Sequence, residues 1–177
     1  MKVYLHTMKK IRLVVMGVSG SGKTTVGQAI AKELNLPFVD GDDLHPAENK
    51  AKMASGEPLT DSDREPWLEI IGNELATAGD GLVIVCSALK KSYRDTIRRA
   101  APDAFFIHLH GSQELIESRI ADRDHEFMPS TLLASQFAAL EPLDETEAHL
   151  AVSIEGSPQK ITAVVEDYLR AQGYLPS

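Results

Sequence analysis

The stretch Gly17-Val18-Ser19-Gly20-Ser21-Gly22-Lys23-Thr24 constrains this chain more than any other. It fits G-x-x-x-x-G-K-[ST], a loop whose successive backbone N–H groups cradle phosphate. Its flanks supply the context that the pattern needs. Ile11 to Met16 is a short apolar run rich in β-branched residues and predicts a buried strand. Val26, Ala29, Ile30, Ala31 and Leu34 recur at helical spacing and predict a helix over 23–34, ended by Asn35 and Pro37. Strand, glycine loop and helix imply a nucleoside triphosphate site, with Gly17, Val18, Ser19, Gly20, Ser21, Gly22, Lys23, Thr24 and Thr25 around the phosphates. The glycines let the backbone approach the ligand. The helix start adds unpaired N–H groups and the positive end of its dipole. Lys23 is expected to reach the β- and γ-phosphates, and the Thr24 hydroxyl to ligate Mg²⁺.

The remaining chain alternates. Strands are predicted at 37–40, 82–86, 105–109 and 151–154. Helices are predicted at about 90–100, 112–122, 130–140 and 158–171, with a polar, helix-leaning region at 46–77 interrupted near Gly56-Glu57-Pro58. Such alternation predicts an α/β domain, a mainly parallel five-stranded sheet with helices on both faces. At 177 residues, with 43% hydrophobic and 25% charged residues, one domain with a sizeable core is expected over 11–177. Residues 1–10 read either as an extension, with Met8 an alternative start, or as the beginning of the first strand. They lack the long apolar region of a signal peptide, and no run approaches a membrane span. A net charge of −8 argues against a broad nucleic-acid surface. The single cysteine, Cys86, excludes an internal disulfide and is compatible with a reducing cytoplasm.

In an α/β sheet, ligands sit beyond the carboxyl ends of the strands. That rule selects the segments after Asp40 and after Cys86. Asp40, Asp42 and Asp43 crowd three carboxylates into four positions, which suits Mg²⁺ or an acceptor hydroxyl. Asp42 is the expected residue to orient or deprotonate that hydroxyl, and Asp40 or Asp42 could hold the metal through water. Asp43, Asp61 and Ser62 are possible helix caps. His45, Asn49 and Lys52 would share a face if helical, and offer groups for a polyhydroxylated anion. Arg64 suits a bidentate grip on a carboxylate. Ser87 and Lys90 follow the third strand, where a ligand should lie, while Cys86 and Trp67 read as packing residues. Arg119 and Arg123 share a helical face beside a charged stretch that reads as a lid over about 119–140; such arginines can close over transferring phosphates. His108 and His110 share a face but lack a third metal ligand. These residues alone reach a P-loop kinase of a small anionic acceptor. A switch GTPase is disfavoured, since no Asp-x-x-Gly occurs and Asn49-Lys50 continues as Ala51-Lys52. A pure binding module would leave the acceptor-side charges without a role.

Several longer strings carry a resemblance. Asp40-Gly41-Asp42-x-Leu44-His45-Pro46-x-x-Asn49 precedes Lys52-Met53 and Gly56-x-Pro58-Leu59-x-Asp61-x-Asp63-Arg64-x-Pro66-Trp67-Leu68. Cys86-Ser87-Ala88-Leu89-Lys90-x-x-Tyr93-Arg94-Asp95 and, later, Phe127-Met128-Pro129, Ser135-Gln136-Phe137 and Leu140-Glu141 follow. Together with the phosphate loop, these resemble the gluconokinase family over nearly all of residues 11–170. The resemblance implies a fold similar to shikimate and adenylate kinases, with the acceptor segment at about 42–78. It implies ATP and Mg²⁺ as cofactors, the 6-hydroxyl of D-gluconate as acceptor, and a homodimer.

Overall fold

The computed structural model describes residues 9–122 and 130–177. Five strands form one sheet: β1 (Arg12–Met16), β2 (Phe38–Asp40), β3 (Leu82–Val85), β4 (Phe105–His110) and β5 (His149–Ser153). Their order is β2-β3-β1-β4-β5, and every pairing is parallel. Seven helices lie among the described residues: α1 (Lys23–Leu34), α2 (Ala47–Ala54), α3 (Asp61–Thr77), α4 (Lys91–Ala100), α5 (Gln113–Ala121), α6 (Ser130–Ala139) and α7 (Pro158–Ala171).

The strands are apolar on both faces because both faces are covered. Leu13 and Val15 of β1 point into one core with Val26 and Ile30 of α1 and Val165 of α7. Val14 and Met16 point into the other, with Leu68, Ile71 and Leu75 of α3 and Ile97 of α4. The period-two alternation of strand side chains divides one run between two cores.

Several boundaries differ from the sequence reading. The first strand begins at Arg12, and Lys9 and Lys10 lie outside it; residues 1–8 are outside the described residues. The helix-leaning region is interrupted where expected: it splits into α2 and α3, with Gly56 at a positive φ of 81° between them. Thr60, rather than Asp61 or Ser62, caps α3: its side chain accepts from the Asp63 N–H while Asp63 accepts from the Thr60 N–H. Asp43 caps no helix; it belongs to a 3₁₀ turn over Gly41–Leu44, and α2 starts after Pro46 without a side-chain cap. Strand β5 begins two residues earlier than expected, at His149, because it pairs in register with Phe106 of β4. No described helix is long and apolar enough to cross a membrane.

Candidate active site

Strands β2, β3 and β1 are neighbours, so the loops at their carboxyl ends meet at one sheet edge. The phosphate loop leaves β1, the acidic turn leaves β2, and Ser87 follows β3. The Gly17 N–H donates to the Ser87 carbonyl at 3.3 Å, joining the first and third of these segments.

The loop needs its glycines where φ is positive, at Gly20 (82°) and Gly22 (88°). At Gly20 a Cβ would also lie 2.6 Å from Ile120 of α5. At Gly22 a Cβ would meet nothing within 4 Å, so the space there is open. Helix α1 starts at Gly22 without a side-chain cap. Its first intrahelical donor is Val26, whose N–H reaches the Gly22 carbonyl. Among the described residues, the N–H groups of Gly20, Gly22, Lys23 and Thr24 have no hydrogen-bond acceptor. Elsewhere a serine or threonine fills that role, as Ser112 does for α5 and Ser157 for α7. The start of α1 therefore keeps a set of donors for an anion.

Lys23 donates to the Val18 carbonyl at 2.9 Å. Burial lowers the pKa of its ammonium, and the carboxylates of Asp42 and Asp40 oppose that shift. Asp42 is exposed in the turn after β2. Loss of bulk solvation, then the charge of Asp40, raises its carboxyl above the ordinary aspartate range, opposed by His45 and Lys23. Asp40 accepts the Asp42 N–H at 3.0 Å and so caps the 3₁₀ turn that carries Asp42.

The expected acceptor residues divide into two groups. His45 and Asn49 are buried. The His45 ring stacks on Trp67 at 4.0 Å, the Asn49 amide meets His45 Nδ1 at 3.2 Å and donates to the Asp63 carbonyl at 2.9 Å, and Trp67 Nε1 donates to the Gly41 carbonyl at 2.7 Å. This packing supports the acidic turn from below. His45 precedes α2 instead of belonging to it. Lys52 pairs with Asp63 at 2.7 Å, which, with the Thr60 bonds, pulls the Asp63 carboxyl down to about 2.

Arg64 and Lys90 form the second group. Both cations lie over the Tyr93 ring, at 5.5 and 5.6 Å. Asp61 accepts from the Tyr93 hydroxyl at 2.5 Å and from Lys90 at 3.2 Å, and lies 3.8 Å from Arg64. The sequence reading assigned Asp61 only a capping role and gave Tyr93 none. Their signal was proximity to predicted ligand loops, but the contact joins residues 32 apart and only the fold reveals it.

Buried Arg94 shapes the segment carrying Ser87 and Lys90. Its guanidinium donates to the carbonyls of Ala88 and Leu89, both at 3.0 Å. Ala88 has a φ of 46°, a left-handed conformation that costs about 1–2 kcal/mol for a non-glycine residue. The Arg94 bonds offset that strain. Cys86 is buried and its thiol is pushed up to about 12 by burial, as a packing residue requires.

On the phosphate side, Arg119 donates to the Ile154 carbonyl after β5. Arg123 lies outside the described residues. Residue Gln136 of α6, which sequence reasoning assigned no role, bonds Ser19 of the phosphate loop. No group of three or more His, Cys, Asp and Glu side chains gathers into a metal cage among the described residues.

Comparison with known proteins agrees with this geometry. A family profile described as shikimate kinase matches residues 19–169. The probable gluconokinase of Xenopus tropicalis is 43% identical over 173 residues, covering 87% of this chain and 90% of that protein. The thermoresistant gluconokinase of Escherichia coli (strain K12) is 47% identical over 156 residues, covering 85% and 88%. The crystal structure of a gluconokinase from Sinorhizobium meliloti 1021 superposes with a TM-score of 0.80 at 43% identity, covering 93% of this chain and 99% of that one. The chain belongs to the gluconokinase family of P-loop kinases.

Proposed function

We propose that the protein transfers the γ-phosphoryl group of ATP to the 6-hydroxyl of D-gluconate. The observation that carries this reading is the likeness to gluconokinases along almost the whole chain, acceptor segments included. The geometry supports it. On the donor side the uncapped start of α1 faces open space at Gly22, with the Lys23 ammonium held beside it on the Val18 carbonyl. On the acceptor side stand a carboxylate, Asp42, and a pair of cations, Arg64 and Lys90.

The residues fit a magnesium–nucleotide pair. Mg²⁺ takes one or two protein oxygens and fills its remaining positions with water and phosphate. An exposed Thr24 hydroxyl, with Asp40 and Asp42 opposite Lys23, is such a partial set, and a closed cage is not needed. Bound there, the metal would neutralise charge on the phosphate oxygens. Lys23 and the N–H groups of Gly20, Gly22, Lys23 and Thr24 hold the β- and γ-phosphates in line with the acceptor. Asp42 accepts the proton of the attacking hydroxyl as the new P–O bond forms and the bond to the β-phosphate oxygen breaks. Arg64 and Lys90 bind the gluconate carboxylate, with Ser87, Lys52, His45 and Asn49 placing the chain of hydroxyls directly or through the turn they support. Arg119 and Arg123 close over the phosphates and exclude water. The homodimer and the cytoplasmic setting belong to the same reading.

A coupled assay of ADP release tests the assignment. Gluconate should drive ATP turnover well above shikimate or AMP, and ATP should serve better than GTP. Equal turnover with shikimate or AMP would overturn the acceptor, and a preference for GTP would overturn the donor.

A further inference from the structure

Gln136 meets one residue of the phosphate loop at two points. Its Oε1 accepts the Ser19 N–H at 2.6 Å, and its Nε2 donates to Ser19 Oγ at 2.8 Å. A side-chain amide matched to both a backbone donor and a hydroxyl acceptor fixes that residue's orientation as well as its distance. The two positions are 117 residues apart, so the clasp is made entirely by the fold.

The clasp does not occupy the anion cradle. Ser19 precedes Gly20, and the N–H groups of Gly20, Gly22, Lys23 and Thr24 remain without acceptors. Gln136 instead secures the outer rim of the loop, next to Val18, whose carbonyl holds Lys23 and accepts the Ser21 N–H.

The other end of the clasp is anchored too. Leu133 of α6 is buried in the core, and Leu140, just after the helix, packs against both cores. The Glu141 N–H donates to the Leu89 carbonyl at 2.8 Å, Glu141 Oε1 accepts the Lys91 N–H at 3.0 Å, and the Glu141 carbonyl accepts from Arg94 at 3.0 Å. The end of α6 is thus tied to the segment that carries Ser87 and Lys90. A continuous line of contacts runs through α6 from that segment to the rim of the phosphate loop.

We propose that Gln136 is a positioning residue that presets the phosphate loop for ATP from the acceptor side. This rests on the reading that the loop holds the phosphates of ATP. It does not depend on which acceptor is phosphorylated. Two hydrogen bonds that orient the loop before binding should be worth about tenfold in ATP affinity.

The test uses the full-length protein and Mg²⁺-ATP without acceptor. Gln136→Met keeps the side chain's length and removes both bonds. It should bind ATP about tenfold more weakly by equilibrium titration. The KM for gluconate should stay within about twofold, since a preset donor loop leaves acceptor contacts intact. Ser19→Ala removes one partner, and the double variant should be no weaker than Gln136→Met alone, because the clasp can be lost only once. Should Gln136→Met not fold, Gln136→Asn, polar but one methylene short, gives the same readout. ATP affinity within twofold of the parent, or tighter than the parent, would overturn the proposal. So would effects that multiply in the double variant. A parent protein that bound no ATP would overturn it together with the donor assignment, whereas binding of ATP without turnover of gluconate would strike the acceptor assignment alone.

Discussion

Lys23 is an ammonium with little water around it, and its pKa is lowered by that burial. Phosphate oxygens would replace the missing solvation, so the lysine contributes most when ligand is bound. Lys23→Ala should therefore cut turnover by at least about a hundredfold while urea unfolding stays near the parent midpoint, because the residue sits in no core. Near-normal turnover would refute the phosphate-loop assignment. Asp42 is the counterpart on the acceptor side. Loss of solvation and Asp40 raise its carboxyl. In its proposed role as proton acceptor Asp42 acts as the carboxylate, so activity should fall as pH drops through this raised value, earlier than an ordinary aspartate would dictate. A kcat/KM profile measures the acid limb, and Asp42→Asn should abolish the limb along with most of the activity. A limb unchanged in that variant would assign it to another group.

At the scale of elements, α1 and α3 show how a local ending serves a distant purpose. Helix α3 is closed by a reciprocal Thr60–Asp63 box, while α1 begins bare at Gly22. Their glycines differ in the same way. Gly22 faces open space, but Gly72, inside α3, faces α4. A Cβ there would lie 2.7 Å from the Ala100 Cβ and 2.8 Å from the Ile97 carbonyl. Helix propensity favours alanine by about 1 kcal/mol, but backbone cannot yield as a side chain can. Gly72→Ala should destabilise the protein by a net of about 1–2 kcal/mol in urea denaturation, and a stabilised variant would show that α4 shifts freely. The glycine pattern of the loop was legible in the sequence because its positive φ values are local. The need for Gly72 was not, because it depends on where α4 packs.

Across the whole molecule, a buried ion pair joins α4 to the segment just before β5. Arg94 of α4 pairs with Glu147 before β5 at 2.8 Å, and their side chains are 0% and 2% exposed. Burial pushes the Glu147 carboxyl up, but the bonds from Arg94, Arg98 and the Asp144 N–H outweigh it and bring the group down to about 2. A depressed carboxyl stabilises the fold above the ordinary glutamate range, and that contribution fades as pH falls toward 2. Arg94→Met would leave Glu147 buried beside Arg98 alone. It should cost about 3–5 kcal/mol near neutral pH, with the gap to the parent narrowing as pH falls from about 4. A gap independent of pH would mean that lost packing, and not the charge, sets the cost.

The sequence by itself determined the alternation of strands and helices, the phosphate loop, the acidic turn after β2 and the segment after β3. Each is written in short-range terms: a period of two or 3.6, a glycine spacing, a cap or a charge cluster within a few residues. Only the tertiary structure decided which polar residues are spent on packing the fold and which gather at the sheet edge. His45 and Asn49 are buried beneath the acidic turn, Arg94 holds a strained loop, and Asp61 gathers Tyr93, Lys90 and Arg64. Gln136 clasps Ser19. A polar side chain reads the same in sequence whether it faces water or a buried partner. The difference lies in desolvation and in contacts made across tens of residues, and both arise only when the sheet brings its loops to one edge.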